Sequence, residues 1–513
     1  MNKSLKIFLP IVIIGLVAMI GYKAAEPFIA EYQKTKSSDA SDIRQTIRIG
    51  VDSWIGYVPL CSRDFKKRMR NNGYLIKCID DKANYQSRYG KLDSGDLEFA
   101  VGTVDSYLLN AKDYDFPGTI ISVIDESKGG DAIVADKSRF KNLEDLKAAK
   151  NLKVAFTPDS PSEHLFHATA VHFDMASILS GQYKKIRTDG AENAFDSLKR
   201  GKADVAVLWE PFVSRATALG YQTILTSKDT QKLIVDVLIV GRKFAQKEPD
   251  TVNTLLRNYF RTLKFYRDNQ SELVKEIQNS TKEDEETVKT MMEGVSWQTL
   301  SSNSSKWFGL KNTSQALSRE YLVDTIDSAV DILTNAKKIS SHPLPDENPY
   351  IILNRKFVEE LYRGGVFVKE SGSDTDRVTF TSLSDREWDN LADIGSLKIR
   401  PITFQSGTSE ISEEGKLEIK KLASNLSHYP NFRIVVRGHT GTRGDAQANL
   451  TLSQSRADSV RDHLVNQMSI QNERIRAVGL GSTKPLAKKP GESSRAYNYR
   501  LPRVEINLAR EVY

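Results

Sequence analysis

Polar, aromatic and glycine residues follow short apolar runs at several points in the first half of the chain. Ligands of open parallel α/β sheets bind at the carboxyl ends of strands, so residues at these positions are predicted to line a binding cleft. Trp54 and Tyr57 are candidates for stacking on a ligand, with core packing as the alternative. The predicted ligand-binding residues are Ser53, Trp54, Gly56, Tyr57, Thr103, Asp105, Gly130, Asp131, Ser160, Ser162, Trp209 and Glu210.

The predicted cleft combines acidic groups with a helix N-terminus, and these two features favour different ligands. Asp131 and Glu210 do not suit a bare anion such as nitrate, whereas a zwitterion or a heterocycle with amino groups could use them. Ser160 and Ser162 precede a helical pattern, where serine either caps the helix or donates to an anion at its N-terminus. The ligand class therefore stays open.

Three histidines follow these serines in "EHLFHATAVH" and raise the question of metal binding or catalysis. His164 and His167 share a helix face, but His172 lies about 140° further round a regular helix. A three-histidine site is therefore strained, and the two cysteines of the chain are too few for a zinc or iron–sulfur framework. No G-x-S-x-G pattern occurs. We predict no metal, no cofactor and no catalysis.

The second candidate site is "RIVVRGHTGTRGDAQANLTLSQSRADSV", residues 433–460. It combines a strand, a polar turn with glycines and a helix that carries Arg456. The segment from Pro430 onward is rich in Lys and Arg, and its excess of basic residues matches the net charge of +7 of the whole chain. Such a surface meets nucleic acid, anionic lipid or an anionic polymer such as the cell wall, or it is simply a solvated face.

The N-terminus predicts export. Residues 7–22 carry no charge, and Lys3 and Lys6 precede them. We predict a retained inner-membrane anchor with the bulk of the chain in the periplasm, and a cleaved signal peptide is the alternative. In that oxidising compartment Cys61 and Cys78 either form one disulfide or remain two buried thiols.

The elements that must position these residues alternate between strands and helices, which predicts α/β layers with mainly parallel sheets. Helical periodicity takes over after Phe244, and stretches rich in proline, glycine and serine divide the remainder. The predicted organisation is a multidomain α/β chain. Its parts are residues 1–25 as anchor or signal, 26–45 as linker, 46–365 as the first body, 366–395 as linker and 396–513 as the C-terminal domain.

The first body resembles a known family at "IRIGVDSWIGYVPL", "SKGGDAIVADKSRFKNLEDLK" and "ADVAVLWEPFVSRA". These strings are similar to the nitrate/sulfonate/taurine-type and thiamine-precursor-type periplasmic substrate-binding proteins, and the likeness spans residues 46–362. The resemblance implies a two-lobed type II periplasmic-binding fold that closes over a small molecule by a hinge motion and serves an ABC transporter. One branch makes a thiamine pyrimidine with a histidine and a cysteine-rich motif, and this chain has no such cysteine cluster.

Residues 397–508 resemble the OmpA-like C-terminal domain, a peptidoglycan-binding module. The matches in its central motif are Gly438, His439, Thr440, Gly444, Asn449, Leu452, Ser453, Arg456 and Ala457. In that family an aspartate directly after the His-Thr pair takes the ammonium of diaminopimelate, and an arginine fifteen positions later takes its carboxylate. Arg456 occupies the arginine position, whereas Gly441 occupies that of the aspartate.

Two departures from the OmpA-like pattern predict that wall binding is weak, rerouted or replaced by another partner. Gly441 removes the ammonium partner, and Asp445 is the nearby carboxylate that could replace it. Before the last strand, Leu501 and Pro502 stand where the family has asparagine and arginine, and Arg503 matches. The peptidoglycan-binding residues that the resemblance implies are Thr440, Asp445, Asn449, Arg456 and Arg503.

These observations predict a membrane-anchored periplasmic solute-binding protein with a cell-wall-directed domain. The predicted partners are a small molecule, peptidoglycan, the inner membrane and an ABC transporter or other envelope proteins, with no nucleic acid. The alternative is a structural or signalling envelope subunit that has no small-molecule ligand.

Overall fold

The computed structural model describes residues 43–310, 320–364, 380–405 and 407–510. The predicted anchor at residues 7–22 lies outside them. Within the described ranges, no helix is both long enough and apolar enough to cross a membrane.

The described chain forms three sheets with helices packed against them. The first stretch comprises strands β1 (Gln45–Val51), β2 (Tyr74–Asp80), β3 (Phe99–Thr103) and β4 (Gly118–Ser127), and helices α1 (Val58–Cys61), α2 (Arg63–Asn71), α3 (Tyr85–Ser94) and α4 (Val104–Asn110). The second comprises β5 (Asp131–Ala135), β6 (Lys153–Phe156), β7 (Lys184–Arg187), β8 (Val205–Trp209) and β9 (Gln222–Thr226), and helices α5 (Leu143–Ala148), α6 (Pro161–His172), α7 (Ala176–Leu179), α8 (Gly190–Lys199) and α9 (Phe212–Ala218).

The third stretch returns to the first sheet. It comprises β10 (Val235–Gly241), β11 (Val295–Trp297), α10 (Arg242–Lys247), α11 (Pro249–Asp268), α12 (Gln270–Thr281), α13 (Glu285–Glu293), α14 (Leu300–Ser302), α15 (Tyr321–Asn335) and α16 (Lys356–Arg363). The fourth forms the C-terminal domain, with β12 (Ala392–Ser396), β13 (Arg433–His439), β14 (Ile475–Gly479), β15 (Arg503–Arg510), α17 (Asp385–Asp389), α18 (Glu413–Ser427), α19 (Ala446–Met468) and α20 (Ser494–Arg500).

The first two sheets form the two lobes of one body. Their strand orders are β11-β4-β10-β3-β1-β2 and β7-β6-β8-β5-β9, and the chain crosses from one sheet to the other after β4 and back again after β9. Two crossings between two mixed sheets give the two-lobed architecture that the resemblance implies. The prediction of mainly parallel sheets holds for two of the five strand pairings in the first sheet and two of the four in the second, because β10 and β5 are antiparallel to both of their neighbours and β11 is antiparallel to β4.

The strands in the middle of each lobe are apolar because helices cover both faces of the sheet. Every residue of β3, β5, β8 and β10 is buried. β10 is nevertheless interrupted by Asp236, and β4 by Asp125, so two carboxylates are built into the apolar layer of the first lobe. Their position turns the end of this sheet into a polar surface.

Cys61, at the end of α1, and Cys78, in β2, form a disulfide with a Cα–Cα distance of 6.1 Å and a sequence separation of 17. Closing a loop of this length restricts the unfolded chain by about 3 kcal/mol. We therefore expect the Cys61→Ser, Cys78→Ser double variant to lose about 3 kcal/mol of unfolding free energy in urea. An unfolding free energy equal to that of the oxidised wild type would contradict this assignment.

The C-terminal sheet has the order β12-β15-β13-β14, in which β13 and β14 are parallel and β15 is antiparallel to both of its neighbours. Helix α19 lies against β13 at Gly438, where a Cβ atom would come within 2.1 Å of the Ser453 carbonyl oxygen. Only glycine permits this approach. Helix α17 and the start of β12 at Ala392 lie inside the interval 366–395 that the sequence assigns to a linker. The boundary between the linker and the C-terminal domain stays a prediction.

The C-terminal domain packs against the second lobe, and the two share one apolar core. The Lys398 amide donates to the His172 carbonyl oxygen at 2.6 Å, and the Gln231 amide donates to the His428 carbonyl oxygen at 2.7 Å. Between these bonds the ring of Tyr429 meets that of Phe173 edge-on, with centroids 5.4 Å apart. The C-terminal domain is therefore docked on the second lobe.

Candidate functional site

Strand pairing places the first lobe's polar groups in a row at one edge of the sheet. Because β10 runs antiparallel between β3 and β4, Asp236 lies beside Thr103 on one side and beside Asp125 on the other. Tyr57, which follows β1, donates its hydroxyl to Asp236. Asp105 sits in the first turn of α4, directly beyond Thr103. These groups form the first lobe's side of the cleft.

The second lobe presents a matching edge. β5 runs antiparallel to β8, so Asp131, the first residue of β5, pairs with Trp209, the last residue of β8. Glu210 follows directly, and its carboxylate accepts from the amide and the hydroxyl of Ser214 at 3.0 and 2.8 Å. That these residues line one ligand-binding cleft stays a prediction.

The two edges face each other and touch. The Trp209 indole donates to the Ser53 hydroxyl at 3.3 Å, a bond that joins the lobes. The Trp54 ring lies so close to Gly130 that a Cβ atom there would fall 2.3 Å from a ring carbon. The Trp54 indole N–H points to Asp125, with oxygens at 3.2 and 3.3 Å. Trp54 therefore spans the cleft, and the lobes are closed on one another.

Burial makes the carboxyl groups of this cleft hard to ionise. Desolvation, with smaller contributions from Asp105 and Glu210, raises the pKa of Asp131 to about 7. Desolvation likewise raises the pKa of Glu210 to about 7. Asp125 and Asp236 are cross-strand neighbours on β4 and β10, and burial is the main cause that raises the pKa of both. The cleft is therefore acidic and short of counter-charge.

The nearest buried cation is already committed to the protein's own carboxylates. Arg88, fully buried on α3, binds Asp52 at 3.0 Å and Asp81 at 2.5 Å, and it donates to the Val101 carbonyl oxygen at 2.8 Å. Asp52 also accepts from the Trp54 amide at 3.0 Å. This network fixes the loop after β1, and it leaves the guanidinium no free edge for an anionic ligand.

Several polar side-chain atoms around the cleft are buried and have no hydrogen-bond partner. They come from both lobes, and each belongs to a residue no more than 4% exposed. The atoms are Thr103 Oγ1, Asp105 Oδ1, Asp131 Oδ1, Thr157 Oγ1, Ser162 Oγ, His164 Nδ1 and His164 Nε2. Buried polar atoms in proteins are nearly always hydrogen-bonded, so a concentration of exceptions at one place requires an explanation.

Ser160, the N-cap residue of α6, and Ser162, in the first turn of α6, do not cap the helix through their side chains. The Ser160 hydroxyl donates to the Thr157 carbonyl oxygen at 2.6 Å, and no side-chain capping bond occurs at the start of the helix. Ser162 leaves its hydroxyl unpaired, as noted above. Ser160 therefore occupies the N-cap position, as one of the sequence alternatives has it, but neither serine makes a side-chain capping bond.

The histidines of α6 are buried separately. Burial lowers the pKa of His164, and it lowers that of His167 to about 4 and that of His172 to about 3, so all three are neutral near pH 7. His172 Nδ1 lies 2.6 Å from the Tyr429 hydroxyl in the docking interface. Among the described residues, no group of three or more His, Cys, Asp or Glu side chains is arranged to hold a metal ion.

Sequence reasoning did not single out several groups of the cleft. Asp125 and Asp236 lie inside the apolar runs "ISVID" and "LIVDVLIVG", and a carboxylate within a buried strand was the available signal. Asp52 and Arg88 carried no local signal, because they are far apart along the chain and meet only in the fold. Nothing in the sequence distinguishes His164 from His167 and His172 as the histidine with two unpartnered ring nitrogens.

The second candidate site is the turn between β13 and α19. Gly441 lies in this turn, and a Cβ atom there would have no neighbour within 4 Å. Asp445 is the N-cap of α19, and its Oδ1 accepts from the Ala448 amide at 2.7 Å. Asp445 is exposed, so its side chain serves the helix and also faces solvent.

The remaining predicted residues of this site differ in how many hydrogen bonds their side chains already make within the protein. Arg456 donates from Nε to the Thr408 carbonyl oxygen at 3.1 Å and stacks over Phe404, and burial lowers its pKa. Arg503 is held by Glu505 at 2.7 Å and by two backbone carbonyls. Asn449 donates to the Arg443 carbonyl oxygen at 2.9 Å, and Thr440 Oγ1 is buried without a partner.

Comparisons with known proteins match the C-terminal part of the chain. The OmpA family model covers residues 403–499. The chain is 36% identical over 100 residues to outer membrane porin F of Pseudomonas aeruginosa, which is 20% of this chain and 29% of porin F. It is 30% identical over 148 residues to the peptidoglycan-associated lipoprotein of Buchnera aphidicola, which is 29% of this chain and 80% of the lipoprotein. The chain thus spans less than a third of porin F.

Solved structures align with the first body at low identity. The ligand-binding component of an ABC-type import system from Staphylococcus aureus, solved with zinc bound, is 13% identical with a TM-score of 0.47, and the match covers 62% of this chain and 99% of that one. The aliphatic sulphonate binding protein SsuA from Escherichia coli is 15% identical with a TM-score of 0.45, over 58% and 89%.

Proposed function

Because the chain belongs to the OmpA family through its C-terminal domain, we propose that it is an envelope protein that binds a small molecule between its lobes and contacts the cell wall through that domain. The apolar run at residues 7–22 would anchor it in the inner membrane. An ABC transporter or another envelope protein would receive the molecule or the signal of its binding. The proposal includes no catalytic step.

The observation that carries the small-molecule proposal is the set of unpartnered polar atoms at the cleft. Leaving a buried donor or acceptor unpaired costs about 1–3 kcal/mol for each group. Thr103 and Asp105 contribute such atoms from the first lobe, and Asp131, Ser162 and His164 contribute them from the second. A polar molecule held between the lobes would satisfy groups of both lobes at once, and its binding would favour the closed arrangement.

The wall-contact proposal is supported by a different set of residues. Arg456 projects from α19, and its guanidinium carries no acidic partner among the described contacts, so it can accept a carboxylate of a wall peptide. Gly441 supplies no ammonium partner, and Asp445 is the nearby exposed carboxylate. We therefore propose weak wall binding that depends on Arg456 and on the charge of Asp445.

Thermal unfolding of the full chain with a panel of small polar metabolites tests the small-molecule proposal. A compound that binds only the folded state at 100 times its Kd adds about 2.7 kcal/mol, which raises the Tm by several degrees. We expect at least one compound to do so, and Ser162→Ala to reduce the shift. Ser197→Ala, at a half-buried position of α8, is the matched control and should leave the shift intact. If no compound shifts the Tm, the structural or signalling subunit becomes the better account.

A further inference from the structure

We propose that the molecule bound in the cleft is an organic amine that carries its positive charge between Asp105 of the first lobe and Asp131 of the second. This inference rests on the proposed function, because it names the ligand class of the same cleft. It narrows that function from any polar molecule to a cation, and it excludes sulfonates, nitrate and other bare anions.

The first step is to separate the carboxylates that the protein satisfies from those that it does not. Asp52 is paired with Arg88, and Glu210 accepts two bonds from Ser214. Asp125 accepts from Trp54, Asp236 accepts from Tyr57, and burial raises the pKa of both carboxyl groups. Asp105 and Asp131 differ, because each has one buried oxygen that accepts no hydrogen bond.

The second step is that these two carboxylates come from opposite lobes, which meet at Trp54: its indole N–H points to Asp125, and its ring lies against Gly130, the neighbour of Asp131. The charge of Asp105 contributes to the raised pKa of Asp131. It also raises the pKa of His164, at the start of α6, against the larger lowering effect of burial. Asp105 belongs to α4 in the first lobe, whereas Asp131 begins β5 in the second. Two like charges brought together from two lobes repel, and a cation between them converts this repulsion into two attractive pairs.

The third step concerns an anionic or zwitterionic ligand, which would need a cation from the protein. The buried cationic side chains of the described residues are Arg88, Lys232, Arg433 and Arg474. Arg433 and Arg474 belong to the C-terminal domain, and Lys232 binds Asp324 and lies over the ring of Tyr321. Arg88 is saturated by its two carboxylates. Among the described residues, the cleft therefore provides no buried cationic side chain for a sulfonate or carboxylate group.

The fourth step concerns the shape of the cation. The described residues contain no cluster of three acidic or histidine side chains suited to a metal ion. The unpartnered groups around the two carboxylates are instead the hydroxyls of Thr103, Thr157 and Ser162 and the imidazole of His164. Such spread-out hydroxyl and imidazole groups suit the N–H and O–H groups of an extended organic molecule rather than the compact shell of a metal.

Isothermal titration of the full chain with matched small probes tests this inference. The probes are ethanolamine and 1,4-diaminobutane as amines, ethylene glycol as the neutral counterpart, and ethanesulfonate as the anion. We expect an amine to bind at least tenfold more tightly than the neutral and anionic probes. Asp131→Asn and Asp105→Asn should each weaken amine binding about tenfold or more, because each removes one charged partner. Glu192→Gln, on the exposed face of α8, should leave amine binding unchanged.

The pH dependence supplies a second readout. The groups that face Asp131 are Ser127, Ser227, Asp52, Asp105, Glu210 and the Asp125–Asp236 pair. The pKa of Asp131 is raised to about 7. Below that pH the carboxyl group is mostly protonated, and it must lose its proton before it can pair with a cation. Amine affinity should therefore fall as the pH is lowered from 8 to 5.5, by up to about tenfold per unit for one proton. Asp131→Asn should flatten this profile.

Folding of the variants can be checked without any ligand. A buried carboxyl with a raised pKa stabilises the folded state at low pH, and this stability is lost as the pH rises from about 4 to about 7. Asp131→Asn removes that loss, so its Tm at pH 8 should equal or exceed that of the wild type.

The outcomes separate the two proposals. Amine binding that weakens in both asparagine variants supports the inference. Equal or tighter binding of ethylene glycol or ethanesulfonate overturns it and leaves the small-molecule function standing. Amine binding that is the same in the wild type and in both variants also overturns it. Absence of binding by all four probes, and by the wider panel in thermal unfolding, overturns both.

Discussion

Gly441→Asp is expected to raise the affinity of the protein for isolated peptidoglycan sacculi by about tenfold to a hundredfold, or about 1.4–2.8 kcal/mol. The residue restores the carboxylate that the OmpA-like pattern places directly after the His-Thr pair. With Arg456 on α19, the site then has one partner for the ammonium and one for the carboxylate of a diaminopimelate residue. Co-sedimentation of the full chain with sacculi measures the effect.

The structure permits this change at little cost to folding. A side chain at position 441 meets no atom within 4 Å of its Cβ, and the φ of Gly441 lies outside the positive region that favours glycine. The site is partly open to water, so the gain should lie below the 2–5 kcal/mol that is typical of fully buried charge pairs. High salt should reduce it.

Three variants control this experiment. Gly441→Asn has a similar shape without the charge and should bind like the wild type. Arg456→Ala, added to Gly441→Asp, should remove the gain. Asp445→Asn keeps the N-cap of α19 but removes its charge, whereas Asp445→Ala removes both. Wall binding that Gly441→Asp leaves at the wild-type level would show that this turn does not hold the ammonium group.

Tyr429→Ala is expected to lower the free energy of unfolding by about 3–5 kcal/mol, as is typical when a large buried aromatic side chain is truncated. Tyr429 has no exposed surface, and it packs against Phe173 of the second lobe and Phe432 of its own domain. Its hydroxyl lies 2.6 Å from His172 Nδ1. Urea unfolding of the full chain measures the loss.

The control is Tyr429→Phe, which keeps the ring and removes only the hydroxyl. It leaves His172 without its partner and should cost about 1–3 kcal/mol. In the same interface His428 donates from Nδ1 to the Gln231 carbonyl oxygen and accepts at Nε2 from Ser328, so both ring nitrogens are hydrogen-bonded. Burial lowers the pKa of His428 to about 4, and the ring is therefore neutral near pH 7. Equal urea midpoints for the wild type and Tyr429→Ala would contradict the shared core.

The sequence predicts the elements of the fold well where the apolar pattern is long. The run "LIVDVLIVG" becomes β10, and "TVNTLLRNYFRTLKFYRD" lies within α11. Strand pairing is harder to predict, because no local sequence pattern specifies that β10 lies between β3 and β4 and runs antiparallel to both. This antiparallel pairing places Asp236 beside Asp125 and so makes the cleft acidic.

The cleft residues illustrate the same limit. Trp54, Asp131 and Trp209 were predicted from their positions after or before strands, and the fold brings them together. The contact between Arg88 and Asp52 joins residues 36 positions apart, and pairing at that distance leaves no trace in local spacing. The docking of His172 against Tyr429 joins residues 257 positions apart and could not be predicted from either segment alone.

The most direct test of the account is to ask whether a small molecule stays bound to the protein when the protein is purified from the cell envelope. The full chain would be isolated without denaturant at neutral pH and then unfolded, and the released compounds would be quantified by mass spectrometry. The account predicts an amine-bearing compound in about equimolar amount from the wild type and its loss from the Asp105→Asn, Asp131→Asn double variant. The same compounds in the same amounts from both proteins, or none from either, would contradict it.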